Sequence, residues 1–166
     1  KMAVILLTVL SFTCGVSLLW VSLDWSQNEF LVFLGIGVVC ILAAIAYTVG
    51  KKPYGYSGLG DISVLIFFGL VGVMGSAYLM TKTIDWLHML PALSCGLFSV
   101  GVLNINNIRD IESDKAAGKY SVPVRIGKQK AAIYHSYLLL VGTCTSLVYV
   151  ILNFRSAWQL LFLLVF

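Results

Sequence analysis

Long apolar runs alternate with short polar connections along the 166 residues of the chain. An α-helix needs about 20 apolar residues to cross the hydrocarbon core of a bilayer, which is roughly 30 Å thick. Five runs meet this length, at residues 2–22, 30–49, 62–80, 86–105 and 131–152, and a truncated sixth begins near Ala157. Backbone amides in lipid must bond within their own segment, so helices are expected rather than strands. The pattern predicts an all-α, polytopic transmembrane helical bundle.

The composition leads to the same class of protein. Hydrophobic residues make up 60% of the chain and charged residues 11%, whereas roughly 25% of residues are charged in an average soluble domain. The mean hydropathy of +0.96 excludes a water-soluble globule, because too little polar surface is present to cover one. We find no internal repeat, so residues 1–166 are expected to form a single transmembrane domain. The domain is expected to be incomplete, because the chain begins at Lys1 and ends at Phe166 inside an apolar run.

The basic residues indicate how the chain is oriented in the membrane. Nine of the eleven lie at Lys1 and in the loops 50–61 and 106–130, and the opposite side has only Lys82 and Arg155. The positive-inside rule then predicts that both long loops face the cytoplasm. The net charge of +4 does not indicate a nucleic-acid partner, because the basic residues lie in short connections rather than on one solvated face.

The first polar cluster, NNIRDIESD, follows the fourth apolar run. If the helix continues through it, Asn106, Asp110 and Asp114 recur every four residues on nearly one face, about 6 Å apart along the axis. Asn107 and Arg109 flank that face. Mg²⁺ prefers hard oxygen ligands and typically takes one or two carboxylates together with substrate phosphates. The stripe therefore predicts a magnesium site with a diphosphate ligand.

Three other interpretations of this cluster stay open. In the first, the acidic residues only balance the neighbouring basic side chains of a solvated loop: Arg109, Lys115 and Lys119. In a transporter, Asp110 and Asp114 would serve as cation or proton sites near a broken helix, with carboxylates near mid-membrane and inverted repeats. In a purely structural membrane subunit, replacing both aspartates with asparagine would change nothing except expression.

The second polar cluster, YTVGKKPYGYSGLGD, covers residues 47–61. Its glycines and proline predict a turn-rich loop. Lys51 and Lys52 are positioned to hold a diphosphate as point charges, or to act only as topology markers. Asp61 stands directly before an apolar run and is expected to cap the third helix. The tyrosines belong either to an interfacial aromatic belt or to a pocket: Tyr47, Tyr54 and Tyr56.

Together, NNIRDIESDKAAGKYSVPVRIG and YTVGKKPYGYSGLGDISVLIFFG resemble the UbiA-type superfamily of intramembrane aromatic prenyltransferases, most closely its 1,4-dihydroxy-2-naphthoate branch. The resemblance implies nine transmembrane helices around a cavity that opens to the cytoplasm and to lipid. It also implies two aspartate-rich motifs. The second matches Asp110 and Asp114, preceded by Asn106 and Asn107. The first, of N-D-x-x-D type, is absent from residues 1–166, so we expect the fragment alone to be inactive.

The same resemblance implies a function and a set of binding residues. A polyprenyl group would pass from polyprenyl diphosphate to 1,4-dihydroxy-2-naphthoate with loss of carbon dioxide, in the plasma (inner) membrane of a bacterium. Asp110 and Asp114 would hold the Mg²⁺ cofactor through the diphosphate. The diphosphate-binding residues would be Tyr47, Lys51, Lys52, Asn106, Asn107 and Arg109. Arg125 lies in the family-like VRIG string, and no role is assigned to it. Other members of the superfamily act on 4-hydroxybenzoate, haem or chlorophyllide precursors, which stay open as acceptors.

Overall fold

The apolar runs form helices, as their lengths predict. The computed structural model describes residues 2–23, 26–51 and 53–164, and within these ranges it contains no strand. Five helical stretches are long and apolar enough to cross a bilayer: Ile5–Ser22, Gln27–Thr48, Gly60–Thr81, Trp86–Arg109 and Lys128–Leu152. The prediction of an all-α, polytopic bundle with five spans is confirmed.

The helices are numbered in chain order. They are α1 (Met2–Ser22), α2 (Gln27–Thr48), α3 (Gly60–Val64), α4 (Gly75–Thr81), α5 (Met89–Arg109), α6 (Ile111–Ala116), α7 (Val122–Ile126) and α8 (Lys128–Leu152). A π-helix at Leu65–Met74 joins α3 and α4 into one span, where the sequence predicts an α-helix throughout. Gly69 and Gly72 lie within this π-helix.

The predicted start of a sixth span falls in the 3₁₀-helix Ala157–Leu164. A 3₁₀-helix has three residues per turn rather than 3.6, and its hydrogen bonds are less well aligned. Within its first turn, Gln159 accepts hydrogen bonds at Oε1 from the backbone amides of the two residues that precede the helix, Arg155 and Ser156, at 2.7 and 3.1 Å. The apolar pattern therefore predicts the position of this helical segment but not its geometry.

The contacts divide the chain into two compact units, residues 1–45 and 46–166. In the first unit, the rings of Trp20 and Phe30 meet edge to face with centroids 5.5 Å apart, and Leu23 is buried. A cavity of 260 Å³ lies here and is lined by Trp20, Leu23, Ser26, Gln27, Phe30 and Leu31. The single domain over the whole chain stays a prediction.

In the second unit, α5 packs against both α8 and the π-helix. A Cβ atom on Gly69 would lie 2.5 Å from the Ala92 carbonyl oxygen and 2.9 Å from Gly96 Cα. Only glycine permits this backbone approach, and small residues of this kind allow membrane helices to pack closely. On the other side of α5, the hydroxyl groups of Ser94 and Ser146 are 2.6 Å apart and join α5 to α8.

Candidate functional site

The first polar cluster lies at a bend between α5 and α6. Asp110 separates the two helices, with φ −98° and ψ 13°. The Asp110 amide still donates to the Asn106 carbonyl oxygen at 3.0 Å, and the Asp114 amide donates to the Asp110 carbonyl oxygen at 2.8 Å. The four-residue hydrogen-bond spacing is therefore kept across Asp110, although the two helices are separate elements and the condition of one continuous helix is not met.

Asp114 lies at the centre of a group of polar side chains. Lys119 Nζ is 2.9 Å from Asp114 Oδ2 and donates to Asn107 Oδ1 at 3.1 Å. The Ser121 hydroxyl donates to Asp114 Oδ2 at 3.3 Å. Asn107 and Ser121 are buried, and the Asp114 side chain is only 13% exposed. We call these four residues, Asn107, Asp114, Lys119 and Ser121, the Asp114 cluster.

Asp110 has a different partner and a different environment. Its carboxylate accepts two hydrogen bonds from the Arg109 guanidinium, at 2.7 and 2.8 Å, and both side chains are exposed to solvent. The Arg109 hydrogen bond lowers the pKa of Asp110 below its ordinary value, and the charge of Lys119 acts in the same direction. Within the described chain, Asp110 and Asp114 therefore share no hydrogen-bond partner, and Arg109 faces a carboxylate of its own chain.

The Asp114 cluster has too few carboxylates to hold Mg²⁺ without additional ligands. The described residues include no group of three or more His, Cys, Asp or Glu side chains that could hold a metal ion. Asp114 and Asn107 do offer hard oxygens that already meet at one cation, the Lys119 ammonium. Mg²⁺ needs only one or two carboxylates when phosphates and water complete its coordination. The donor set therefore fits a magnesium ion held through a diphosphate.

In the second polar cluster, Tyr47 lies in the last turn of α2 and Tyr54 in the loop that follows, and both are half-buried. Their rings meet edge to face with centroids 5.4 Å apart, and the Tyr54 hydroxyl is 2.9 Å from Ser63 Oγ. A Cβ atom on Gly55 would lie 2.7 Å from the Tyr47 carbonyl oxygen, so the chain passes directly over this tyrosine. These two tyrosines pack against each other and join the end of α2 to the loop, whereas Tyr56 is exposed.

Asp61 has a role that the sequence does not reveal. It lies in the first turn of α3 and makes no capping hydrogen bond there, so the predicted helix cap is wrong. Its Oδ2 atom instead accepts a hydrogen bond from the Tyr134 hydroxyl on α8, at 2.9 Å. A half-buried carboxylate beside apolar helices is stabilised by such a donor. The pair joins the third span to α8.

Arg125 joins the two polar loops. Its Nε atom donates to the Tyr120 carbonyl oxygen at 3.0 Å, and its Nη2 atom donates to the Ser57 carbonyl oxygen at 2.6 Å. The Tyr120 amide donates to the Tyr56 carbonyl oxygen at 2.8 Å. Gly58 has φ +76° directly beneath the guanidinium. We call these contacts the Arg125 clamp, and they bring both polar loops to the same end of the helices.

The remaining predicted diphosphate-binding residues are Lys51, Lys52 and Asn106. Lys51 is exposed, and among the described residues its side chain has no hydrogen bond or ion pair. Lys52 lies outside the described residues. Asn106 is exposed and contributes its carbonyl oxygen to the bend. The structure therefore brings Asn107 and Asp114 together, while Asn106 and Lys51 stay at the surface.

Comparison with known proteins agrees with the resemblance seen in the two polar loops. The sequence model of the UbiA prenyltransferase family matches residues 1–166. The 1,4-dihydroxy-2-naphthoate octaprenyltransferase of Haemophilus influenzae is 46% identical over 164 residues, which are 99% of this chain and 53% of that protein. The Escherichia coli protein of the same name shows the same identity and coverage.

The name of a more distant relative refers to a naphthoquinone and to a phytyl group. The 2-carboxy-1,4-naphthoquinone phytyltransferase of Synechocystis is 32% identical over 108 residues, which are 64% of this chain and 34% of that protein. No solved structure matches the chain significantly. The chain spans about half the length of the first two relatives.

Proposed function

Because the chain belongs to the UbiA prenyltransferase family, we propose that the whole protein transfers a polyprenyl group from a polyprenyl diphosphate to 1,4-dihydroxy-2-naphthoate. The observation that carries this proposal is the 46% identity over 99% of the chain with two proteins named for this reaction. The matched region includes both polar loops that the Arg125 clamp holds together. The product after decarboxylation would be demethylmenaquinol.

The proposed reaction begins with ionisation of the allylic C–O bond, whose electron pair leaves with the diphosphate. Mg²⁺ would supply charge neutralisation for this leaving group. Asp114 and Asn107 would hold the ion through their oxygens, and Asp110 is kept ionised by its neighbour Arg109. Lys51 and Lys52 would add positive charge at the mouth of the site. The electron-rich ring then bonds to the allylic carbon and loses its carboxylate as carbon dioxide.

A membrane is the natural place for this chemistry. The polyprenyl tail is itself a lipid, so apolar helices allow it to stay in hydrocarbon while its diphosphate reaches the polar loops. Exclusion of water would also protect the allylic cation from hydrolysis. Most basic residues lie on the two joined loops, which by the positive-inside rule supports a site on the cytoplasmic face, and we propose the inner membrane of a bacterium as its location.

The identity of the acceptor is the most informative point to test. The three relatives described above carry naphthoate or naphthoquinone in their names, which favours a naphthoate over 4-hydroxybenzoate. The full-length parent protein in membrane vesicles would be given a polyprenyl diphosphate and either acceptor, with Mg²⁺ or with EDTA. We expect prenylated, decarboxylated product from the naphthoate alone, and none with EDTA. Prenylation of 4-hydroxybenzoate instead would keep the family but refute the acceptor.

A further inference from the structure

Lys119 is the basic side chain that contacts the oxygen atoms of the Asp114 cluster. Its ammonium nitrogen is within 3.1 Å of both Asp114 Oδ2 and Asn107 Oδ1. The side chains of Lys119 and Asp114 are only 20% and 13% exposed, so water screens their attraction less than it would at the surface. The ammonium therefore supplies the positive charge that balances this carboxylate.

A tight turn brings the lysine back over the carboxylate. The Lys119 amide donates to the Asp114 carbonyl oxygen at 2.8 Å, and the Gly118 amide donates to the Lys115 carbonyl oxygen at 3.1 Å. Gly118 has φ +70°, a conformation that glycine adopts without strain. The backbone is thus fixed close to Asp114, while the four-carbon stem of the lysine leaves its ammonium free to change partners.

The charge of Lys119 also reaches beyond the cluster. It contributes to the lowered pKa of Asp110, so one ammonium acts electrostatically on both aspartates of the predicted magnesium motif.

We propose that Lys119 is a displaceable counter-ion, which fills the cation position of the Asp114 cluster in the substrate-free protein and moves to the diphosphate when that ligand and a divalent cation bind. The proposal rests on the proposed diphosphate-binding function. A divalent cation alone would have to expel the ammonium and leave it without an anionic partner, which opposes binding. A diphosphate provides new anionic oxygens for the expelled ammonium. Cation and diphosphate should therefore bind cooperatively.

The test measures Mn²⁺ binding to the full-length protein in detergent by electron paramagnetic resonance, with and without inorganic pyrophosphate. Mn²⁺ replaces Mg²⁺ as a spectroscopic probe, and its association with pyrophosphate in solution is subtracted. The wild type is compared with Lys119→Met. Lys115→Met is the matched control, because it removes the same charge from an exposed position on α6. Lys119→Arg tests whether a retained cation restores the wild-type behaviour.

In the wild type we expect pyrophosphate to tighten Mn²⁺ binding by about 5- to 150-fold, the usual range for coupled sites. Lys119→Met should bind Mn²⁺ more tightly without pyrophosphate and show a coupling several-fold smaller, while Lys115→Met matches the wild type. Equal coupling in wild type and Lys119→Met would overturn the role of Lys119 and leave the proposed function standing. If pyrophosphate fails to promote Mn²⁺ binding in every variant, the diphosphate site itself is refuted.

A measurement on the wild type alone keeps the proposal testable if Lys119→Met does not fold. An amine-reactive reagent labels lysines in proportion to their accessibility, and mass spectrometry compares Lys119 with Lys115. We expect saturating Mn²⁺ without pyrophosphate to raise labelling of Lys119 relative to Lys115, because the ammonium has been expelled. An unchanged ratio, with Mn²⁺ bound, would contradict displacement.

Discussion

Gly58 is the position where one added methyl group should separate the two polar loops. Its φ of +76° is unfavourable for alanine, and a Cβ atom there would lie 2.9 Å from the Tyr120 carbonyl oxygen and 3.0 Å from the Arg125 guanidinium. Gly118 offers a matched control, because its φ is +70° and a Cβ atom would meet nothing within 4 Å. Both substitutions introduce the same backbone strain, but only Gly58→Ala collides with the Arg125 clamp.

The expected effects follow from these contacts. A left-handed conformation costs an alanine about 1–2 kcal/mol, which applies to both variants. At Gly58 the collision also breaks at least one hydrogen bond between Arg125 and a carbonyl oxygen. Bonds to charged groups contribute about 1.5–3 kcal/mol, and the exposure of Arg125 places this one at the lower end. The free energy that keeps the loops joined should fall by about 1.5 kcal/mol more in Gly58→Ala than in Gly118→Ala.

Hydrogen exchange at the Tyr120 amide measures this difference directly, because that amide donates to the Tyr56 carbonyl oxygen across the two loops. When exchange reports the opening equilibrium, about 1.4 kcal/mol corresponds to a tenfold change in rate. After correction for intrinsic rates, Gly58→Ala should exchange about tenfold faster than Gly118→Ala. Equal rates in the two variants would refute the argument that the Arg125 clamp holds the loops together.

Three further predictions concern the spans and the bend. Tyr134→Phe leaves the Asp61 carboxylate without its donor and should lower the free energy of unfolding by about 1–3 kcal/mol, which denaturant titration in detergent would measure. Gly69→Ala pushes α5 away from the π-helix and should cost about 1–3 kcal/mol in the same assay. Arg109→Gln should raise the pKa of Asp110 towards its ordinary value, as an NMR titration would show. The Arg109 interaction should therefore stabilise the protein above about pH 4 and be lost as the pH falls through the lowered pKa.

The spans could be predicted from the sequence because the bilayer imposes a length and a polarity on each of them. The observed stretch Gly60–Thr81 lies within two residues of its predicted bounds at both ends. The π-helical geometry of Leu65–Met74 could not be predicted, because hydropathy is the same for α- and π-helices. The close contact of Gly69 with Gly96 depends on how two spans pack, which a single run of apolar residues does not encode.

The types of residue in the candidate site could be predicted from the sequence, but the contacts between their side chains could not. The spacing of Asp110 and Asp114 suggested one metal ion shared by both carboxylates on a continuous helix, whereas in the structure the helix is interrupted at Asp110 and each carboxylate pairs with a different basic side chain. Lys119 reaches Asp114 only because Gly118 turns the chain. The hydrogen bond from Arg125 to Ser57 joins residues 68 positions apart. Contacts between residues so far apart along the chain leave no periodic pattern in a single amino-acid sequence.

The most direct test of the account is prenyl transfer by the full-length protein with 1,4-dihydroxy-2-naphthoate labelled in its carboxylate. Asp114→Asn removes the carboxylate at the centre of the cluster. Glu112→Gln is the control, because it removes an exposed carboxylate two residues away. The wild type should release one labelled carbon dioxide for each prenylated product, and Glu112→Gln should do so at the same rate. The rate should be at least about 100-fold lower for Asp114→Asn. Wild-type turnover by folded Asp114→Asn would contradict the account.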